Sequence, residues 1–344
     1  MANRANLRMR RVVIVGAAVA LLFIAGFRAP VSGQHGLPDP GNSVQALALD
    51  SKGTLYVGTF GKGIYRTQDS GKHWEAISDG LEDPFIMTLY LESDQTIYAG
   101  TARMGMFRSR DGGKNWEKKS SGLASTQVPT IVHDAKNRVM YIGTGNGVFK
   151  STDQGDQWAP HNTGLNNVLV RSLVAVADGA LVAGTGGQGL YRLKAAAGEW
   201  EQLARWLRAE VGILENYIRT LTVNKSSGAI YAGTFDGGVF VSLDHGDTWS
   251  PFSRGLENQS IRSVIVGSDQ RIYTATGNGI YVRGPKDDKW TLITAALEDT
   301  NIQSMVINPA GEIFAGTAAG LYKGSATGGW ASIHTGLFKP KEGI

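Results

Sequence analysis

Tryptophan recurs at positions 74, 116, 158, 200, 249, 290 and 330, and each is followed seven positions later by leucine: Leu81, Leu123, Leu165, Leu207, Leu256, Leu297 and Leu337. A Gly-Thr or Ala-Thr pair precedes each tryptophan by 14 to 16 residues, beginning at Gly58, Gly100, Gly143, Gly184, Gly233, Ala275 and Gly316. Three landmarks that keep one phase seven times mark an internal repeat of about 40 residues, the sign of an array whose units complete their core against their neighbours. Within the first unit VQALALD and TLYVGT alternate in polarity, GIYRTQD and HWEAIS are two further short runs, and turn residues separate all four. Four short strands per repeat predict one blade of a β-propeller. The 46 glycines among 344 residues, nearly twice the usual share of about 7%, fit so many tight turns.

The expected fold is therefore all-β: a single seven-bladed β-propeller of four-stranded antiparallel blades over 44–337, preceded by an N-terminal apolar helix. The blades are placed at 44–81, 86–123, 128–165, 170–207, 218–256, 261–297 and 302–337, with a tail at 338–344. Residues 12–27, VVIVGAAVALLFIAGF, form an uncharged apolar run behind Arg4, Arg8, Arg10 and Arg11. Two readings stand for it: a membrane anchor somewhat shorter than the roughly 20 residues of a full span, or the core of a cleaved signal peptide. In both, the arginines stay cytoplasmic and everything after residue 28 is exported. The turn-rich stretch 29–43 reads as a linker. Residues 1–28 hold five arginines and no acid, so the formal charge of +4 leaves −1 for the rest, and no nucleic-acid partner is expected. Without cysteine the chain has no disulfide, thiolate metal site or cysteine nucleophile.

The turn between the third and fourth strands carries the most specific motif: TQDSGKHW at 67–74, SRDGGKNW at 109–116, STDQGDQW at 151–158 and SLDHGDTW at 242–249. An aspartate in such a turn accepts backbone N–H bonds, glycine supplies a permissive φ, and tryptophan is expected to cover the hairpin by packing on its blade. The motif resembles the Asp-box, or bacterial neuraminidase repeat. The resemblance implies a structural role for Asp69, Gly71, Trp74, Asp111, Gly113, Trp116, Asp153, Gly155, Trp158, Asp244, Gly246 and Trp249, away from the ligand face. The units LKAAAGEW, RGPKDDKW and GSATGGW keep the tryptophan and lose most of the rest.

Candidate binding residues come from the opposite face, where the second-to-third strand loops and the blade connections lie around the channel mouth. Aligning the innermost strands gives VQAL, IMTL, VPTI, VRSL, IRTL, IRSV and IQSM, whose second position is Gln45, Met87, Pro129, Arg171, Arg219, Arg262 and Gln303. Three successive arginines at one register suit a carboxylate, a phosphate or an acidic peptide, unless each pairs with Glu215, Glu257, Glu298 or Asp236 nearby. The one long insertion, around 201–217, contains Trp206, read either as part of a partner-binding edge or as part of a short helix over the blade gap. Phe60 and Phe235 follow Gly-Thr pairs and fall on the same face.

An enzyme of sialidase or xyloglucanase type would need two carboxyl groups in different environments. Asp83, Asp236, Glu257, Glu298 and Asp299 fall on the candidate face, but no spacing pairs any two. The six histidines show no metal-ligand spacing, and neither cofactor nor metal is expected. The blade number, Asp-boxes and export segment also resemble the photosystem II stability/assembly factor group. That resemblance implies a non-catalytic scaffold binding a membrane-associated protein or complex through an arginine patch. The enzyme and a carbohydrate- or ligand-binding sensor are the alternatives.

Overall fold

A computed structural model describes residues 40–338, apart from 135–136, 166–167, 177–178, 194–197, 204–215 and 296. The apolar segment 12–27, expected to be helical, and Trp206 lie outside the described residues. Seven four-stranded antiparallel sheets follow one another along the chain, each a simple meander. In blade one, β1 (Val44–Leu49), β2 (Leu55–Thr59), β3 (Ile64–Thr67) and β4 (Glu75–Ala76) pair in chain order. The strands of the other blades run within 86–118, 130–160, 170–202, 218–251, 261–292 and 302–332. First strands of successive blades lie against one another, and Ile302–Ile307 of the seventh meets β1, which closes the ring.

Second strands form the driest layer. Every residue of Leu55–Thr59, Ile97–Thr101, Leu181–Thr185, Ile230–Thr234, Ile272–Thr276 and Ile313–Thr317 is buried. The alternation expected in TLYVGT is therefore not realised, because blades cover both faces of a strand that is itself central in its sheet. The Gly-Thr landmark has two causes. The threonine hydroxyl donates to the carbonyl of a loop glycine, as from Thr59 to Gly63 at 2.9 Å and from Thr101 to Gly105 at 3.0 Å. The glycine lets the next blade approach: a Cβ at Gly143 would lie 2.7 Å from Val170 Cγ1 and 2.8 Å from Val170 O.

The tryptophans share clusters with residues of their own blades, as Trp116 with Phe107 and Trp200 with Tyr191, and they also bond between blades, which the expectation did not include. Trp116 Nε1 donates to Ile77 O at 2.6 Å, Trp158 Nε1 to Lys119 O at 2.9 Å and Trp200 Nε1 to His161 O at 2.8 Å, in each case across to the preceding blade. Trp290 and Trp330 reach Phe252 O and Ile293 O in the same way. Trp74 donates to Ile333 O at 3.1 Å, so the same staple joins the first blade to the last. Trp249 donates to Gly246 O of its own turn. Ring closure adds a bond from Ser304 Oγ to Val44 O at 3.0 Å and a shared apolar cluster of Val44, Leu55, Val57, Tyr65, Phe314, Leu321 and Leu337.

In the Asp-box turns the serine or threonine hydroxyl accepts the glycine N–H and the aspartate accepts an amide four residues on. Ser109 Oγ takes Gly113 N at 2.8 Å, and Asp111 Oδ1 takes Asn115 N at 2.9 Å. Two successive residues then adopt positive φ, as at Gly112 and Gly113 (73° and 92°). Hydrogen bonds from the Asn115 side chain and backbone hold Asp111 down to about 2. At Asp244 burial pushes the other way, but bonds from Thr248 and Ser242 prevail and bring it to about 2. Asp111→Ala is expected to cost about 1 kcal/mol in urea unfolding at neutral pH. A carboxylate depressed in the fold contributes fully above its unfolded pKa near 3.9, so that contribution fades as pH falls from about 4 through about 2.

Candidate functional site

Six of the seven first strands open with a β-bulge against the second strand, at Val44/Ala46, Ile86/Thr88, Val170/Ser172, Ile218/Thr220, Ile261/Ser263 and Ile302/Ser304. In the remaining blade pairing begins at Thr130, after Pro129, which has no N–H to give. The aligned second position is thus the bulged residue, lifted out of the ladder at the start of the innermost strand. Gln45, Met87, Arg171, Arg219, Arg262 and Gln303 all occupy it.

Blades four to six bring the three arginines into one arc. Arg171 Cζ lies 5.3 Å from the centre of the Tyr217 ring and Arg219 Cζ lies 4.1 Å from that of Phe235, while the two rings meet edge to face at 5.5 Å. Arg219 Nη1 donates to Ser260 Oγ at 3.4 Å and Arg262 Nη1 to Gln303 Oε1 at 2.7 Å. Gln303 Nε2 continues the chain to Asn301 Oδ1 at 3.1 Å. Arg262 Nε is buried with no hydrogen-bond partner. No ion pair among the described residues involves Arg171, Arg219 or Arg262, so the pairing with Glu257, Glu298 or Asp236 is not formed. Glu215 lies outside the described residues. Burial, then the positive charges of Arg262 and Arg171, push Arg219 down to about 10, and burial lowers Arg262 as well.

The carboxylates of this face are arranged differently. Asp83 is fully buried, accepts the backbone amides of Phe85 and Arg103 at 3.2 and 2.8 Å, and pairs with the Arg103 guanidinium at 3.1 Å. Asp299 accepts the amides of Asn301 and Ala319 at 3.0 and 3.1 Å. Each ties the amide two residues on to one twenty residues on, so both clamp a blade connection to the loop of the following blade. Among the described residues, no three His, Cys, Asp or Glu side chains are grouped to hold a metal.

Sequence reasoning missed Tyr217 and Ser260. Both stand immediately before an aligned first-strand segment, where the other blades have Ser43, Phe85, Gln127, Leu169 and Asn301, and extending the alignment by one residue would have exposed them. The far end of the channel has another character. A recess of about 560 Å³ there is lined by Leu49, Val223, Ile265, Met305 and Ile307 among others.

Two short matches to family models agree with this architecture. The description "Two component regulator propeller" fits residues 38–61, and "BNR/Asp-box repeat" fits residues 107–118. The chain is a seven-bladed β-propeller with Asp-box turns. A comparison with curated proteins found no match. Among solved structures the chain resembles the extracellular domain of a protein described as a one component system from B. thetaiotaomicron. The two share 19% identity at a TM-score of 0.70 over 83% of this chain, which spans only 39% of that one. It also resembles YCF48 bound to D1 peptide, with 14% identity, a TM-score of 0.63 and coverage of 83% of this chain and 94% of that one. A GH74 xyloglucanase from Xanthomonas campestris shares 16% identity at a TM-score of 0.66, over 85% of this chain and 53% of that one. These likenesses establish the fold.

Proposed function

We propose that the protein is an exported binding scaffold, tethered by residues 12–27, that holds an acidic segment of a membrane-associated protein on Arg171, Arg219 and Arg262. One observation carries this reading: three partly buried guanidinium groups share an arc without a carboxylate among their partners. Unpaired buried charge costs a fold stability, and an external anion would compensate it. The likeness to a propeller bound to a peptide and to a sensor's extracellular domain supports a binding role. The glycosidase alternative has a likeness of its own, to the GH74 xyloglucanase, but two of its five candidate carboxylates, Asp83 and Asp299, are engaged as clamps.

The test is affinity purification from detergent-solubilised membranes with wild type and the triple variant Arg171→Ala/Arg219→Ala/Arg262→Ala. A defined membrane protein retained by wild type and lost by the folded variant is the expected result. Retention of the same protein by both would remove the arginines from the contact. If neither retains a partner, the scaffold reading loses its basis.

A further inference from the structure

Large aromatic side chains meet edge to face in the loops around the arginine-bearing mouth at two places among the described residues, while Phe338 of the final connection lies beside Lys62 of the first blade's loop. Seven residues follow the Gly-Thr or Ala-Thr pairs: Phe60, Ala102, Gly145, Gly186, Phe235, Gly277 and Ala318. Only two are aromatic. Tyr217 sits between Gly186 and Phe235, bridged to the one and accepting the other's amide at 2.9 Å. Phe85 holds the corresponding place between Phe60 and Ala102. Each aromatic pair meets edge to face, Phe60 with Phe85 at 5.1 Å and Tyr217 with Phe235 at 5.5 Å. One lies at the first and second blades and the other at the fifth, so the channel mouth separates them.

The two pairs differ in charge. Arg171 and Arg219 cap the Tyr217–Phe235 pair and have no carboxylate partner. Arg103 caps Phe85 at 4.0 Å, but the buried Asp83 neutralises it. Lys62 of the same loop turns its ammonium to Asn42 and the Phe338 ring, so the Phe60–Phe85 pair is an apolar ledge whose own arginine cap is neutralised. Phe60 keeps 39% of its surface exposed, and it and Leu243 are the large hydrophobic residues so exposed among those described. Nothing in the fold needs a phenyl ring there, since the equivalent position is glycine or alanine in five blades.

Resting on the anionic-partner reading above, we infer that the occupant is an extended acidic peptide that crosses the mouth, its carboxylates on Arg171, Arg219 and Arg262 and a bulky apolar side chain on Phe60 and Phe85. Charge fixes one end of the segment and apolar burial the other, so the ledge selects among acidic segments that the arginines alone would hold equally. An aromatic ring offers a large contact area at small entropic cost.

The experiment is fluorescence anisotropy with the purified propeller and labelled ten-residue probes. All end in Asp-Asp with a free carboxylate on a Gly-Ser background, and each member of the set carries one Phe at a different position. Wild type is expected to bind at least one Phe probe about tenfold more tightly than the Phe-free parent. Phe60→Ala should erase that preference while leaving the affinity for the parent unchanged, which also shows that the variant is folded. Phe60→Trp should keep it. A preference that survives Phe60→Ala, or equal binding of all probes by wild type, overturns the ledge and leaves the arginine site standing. Failure of wild type to bind any probe overturns the anionic-partner reading and the ledge together.

Discussion

Arg219→Met is expected to stabilise the propeller by about 1 kcal/mol while abolishing its hold on an anionic partner. The guanidinium is partly buried, stacked on Phe235 and repelled by Arg171 and Arg262. Methionine keeps the contact with the ring and removes the charge. The sign follows from linkage. Arg219 loses its proton near 10 in the fold, below its ordinary value, so the unfolded chain binds the extra proton above that pH. Stability therefore rises with pH above about 10, and the penalty is present in full at neutral pH. Urea unfolding at pH 7 together with partner retention checks both halves. An arginine that held the ring together would give the opposite: a less stable variant.

Trp116→Ala is expected to produce the largest loss of stability, about 3–5 kcal/mol. The indole is 5% exposed, packs in one cluster with Ile77 and Phe107, and gives its N–H to Ile77 O of the preceding blade. Trp116→Phe should cost less, about 1–2 kcal/mol, mostly for leaving that carbonyl without its donor. Both exceed the effect expected of Asp111→Ala, whose bonds stay within one turn. Midpoints of urea unfolding rank the three. If Asp111→Ala proved the most damaging, the local turn and not the seam between blades would be the organising element.

That ranking bears on what a single sequence reveals. The Asp-box aspartates and glycines were legible because their partners lie within four residues, at Ser109, Asp111, Gly113 and Asn115 for example. The tryptophan's bond to the preceding blade was not, because its acceptor is a backbone carbonyl 39 residues earlier and leaves no mark on residue identity. The arginine register could be read by alignment alone, since one bulge recurs in six blades and puts equivalent residues at equivalent places. Whether those arginines were paired could not. Glu257 and Glu298 are near in sequence to Arg262 and Gln303, but the reach of a side chain across a loop is set by backbone geometry. Asp83 and Asp299 show the same limit, one buried against Arg103 and both spent on amides.

The central claim is that the arginine arc awaits an external anion. NMR titration of the guanidinium carbons, with Arg219 assigned through Arg219→Met, tests it most directly. The account predicts that Arg219 titrates near 10 in the free propeller and moves up when a saturating acidic peptide ending in Asp-Asp is added. An Arg219 whose guanidinium signals ignore the saturating peptide would mean that it meets no external anion, and the proposed site would not exist.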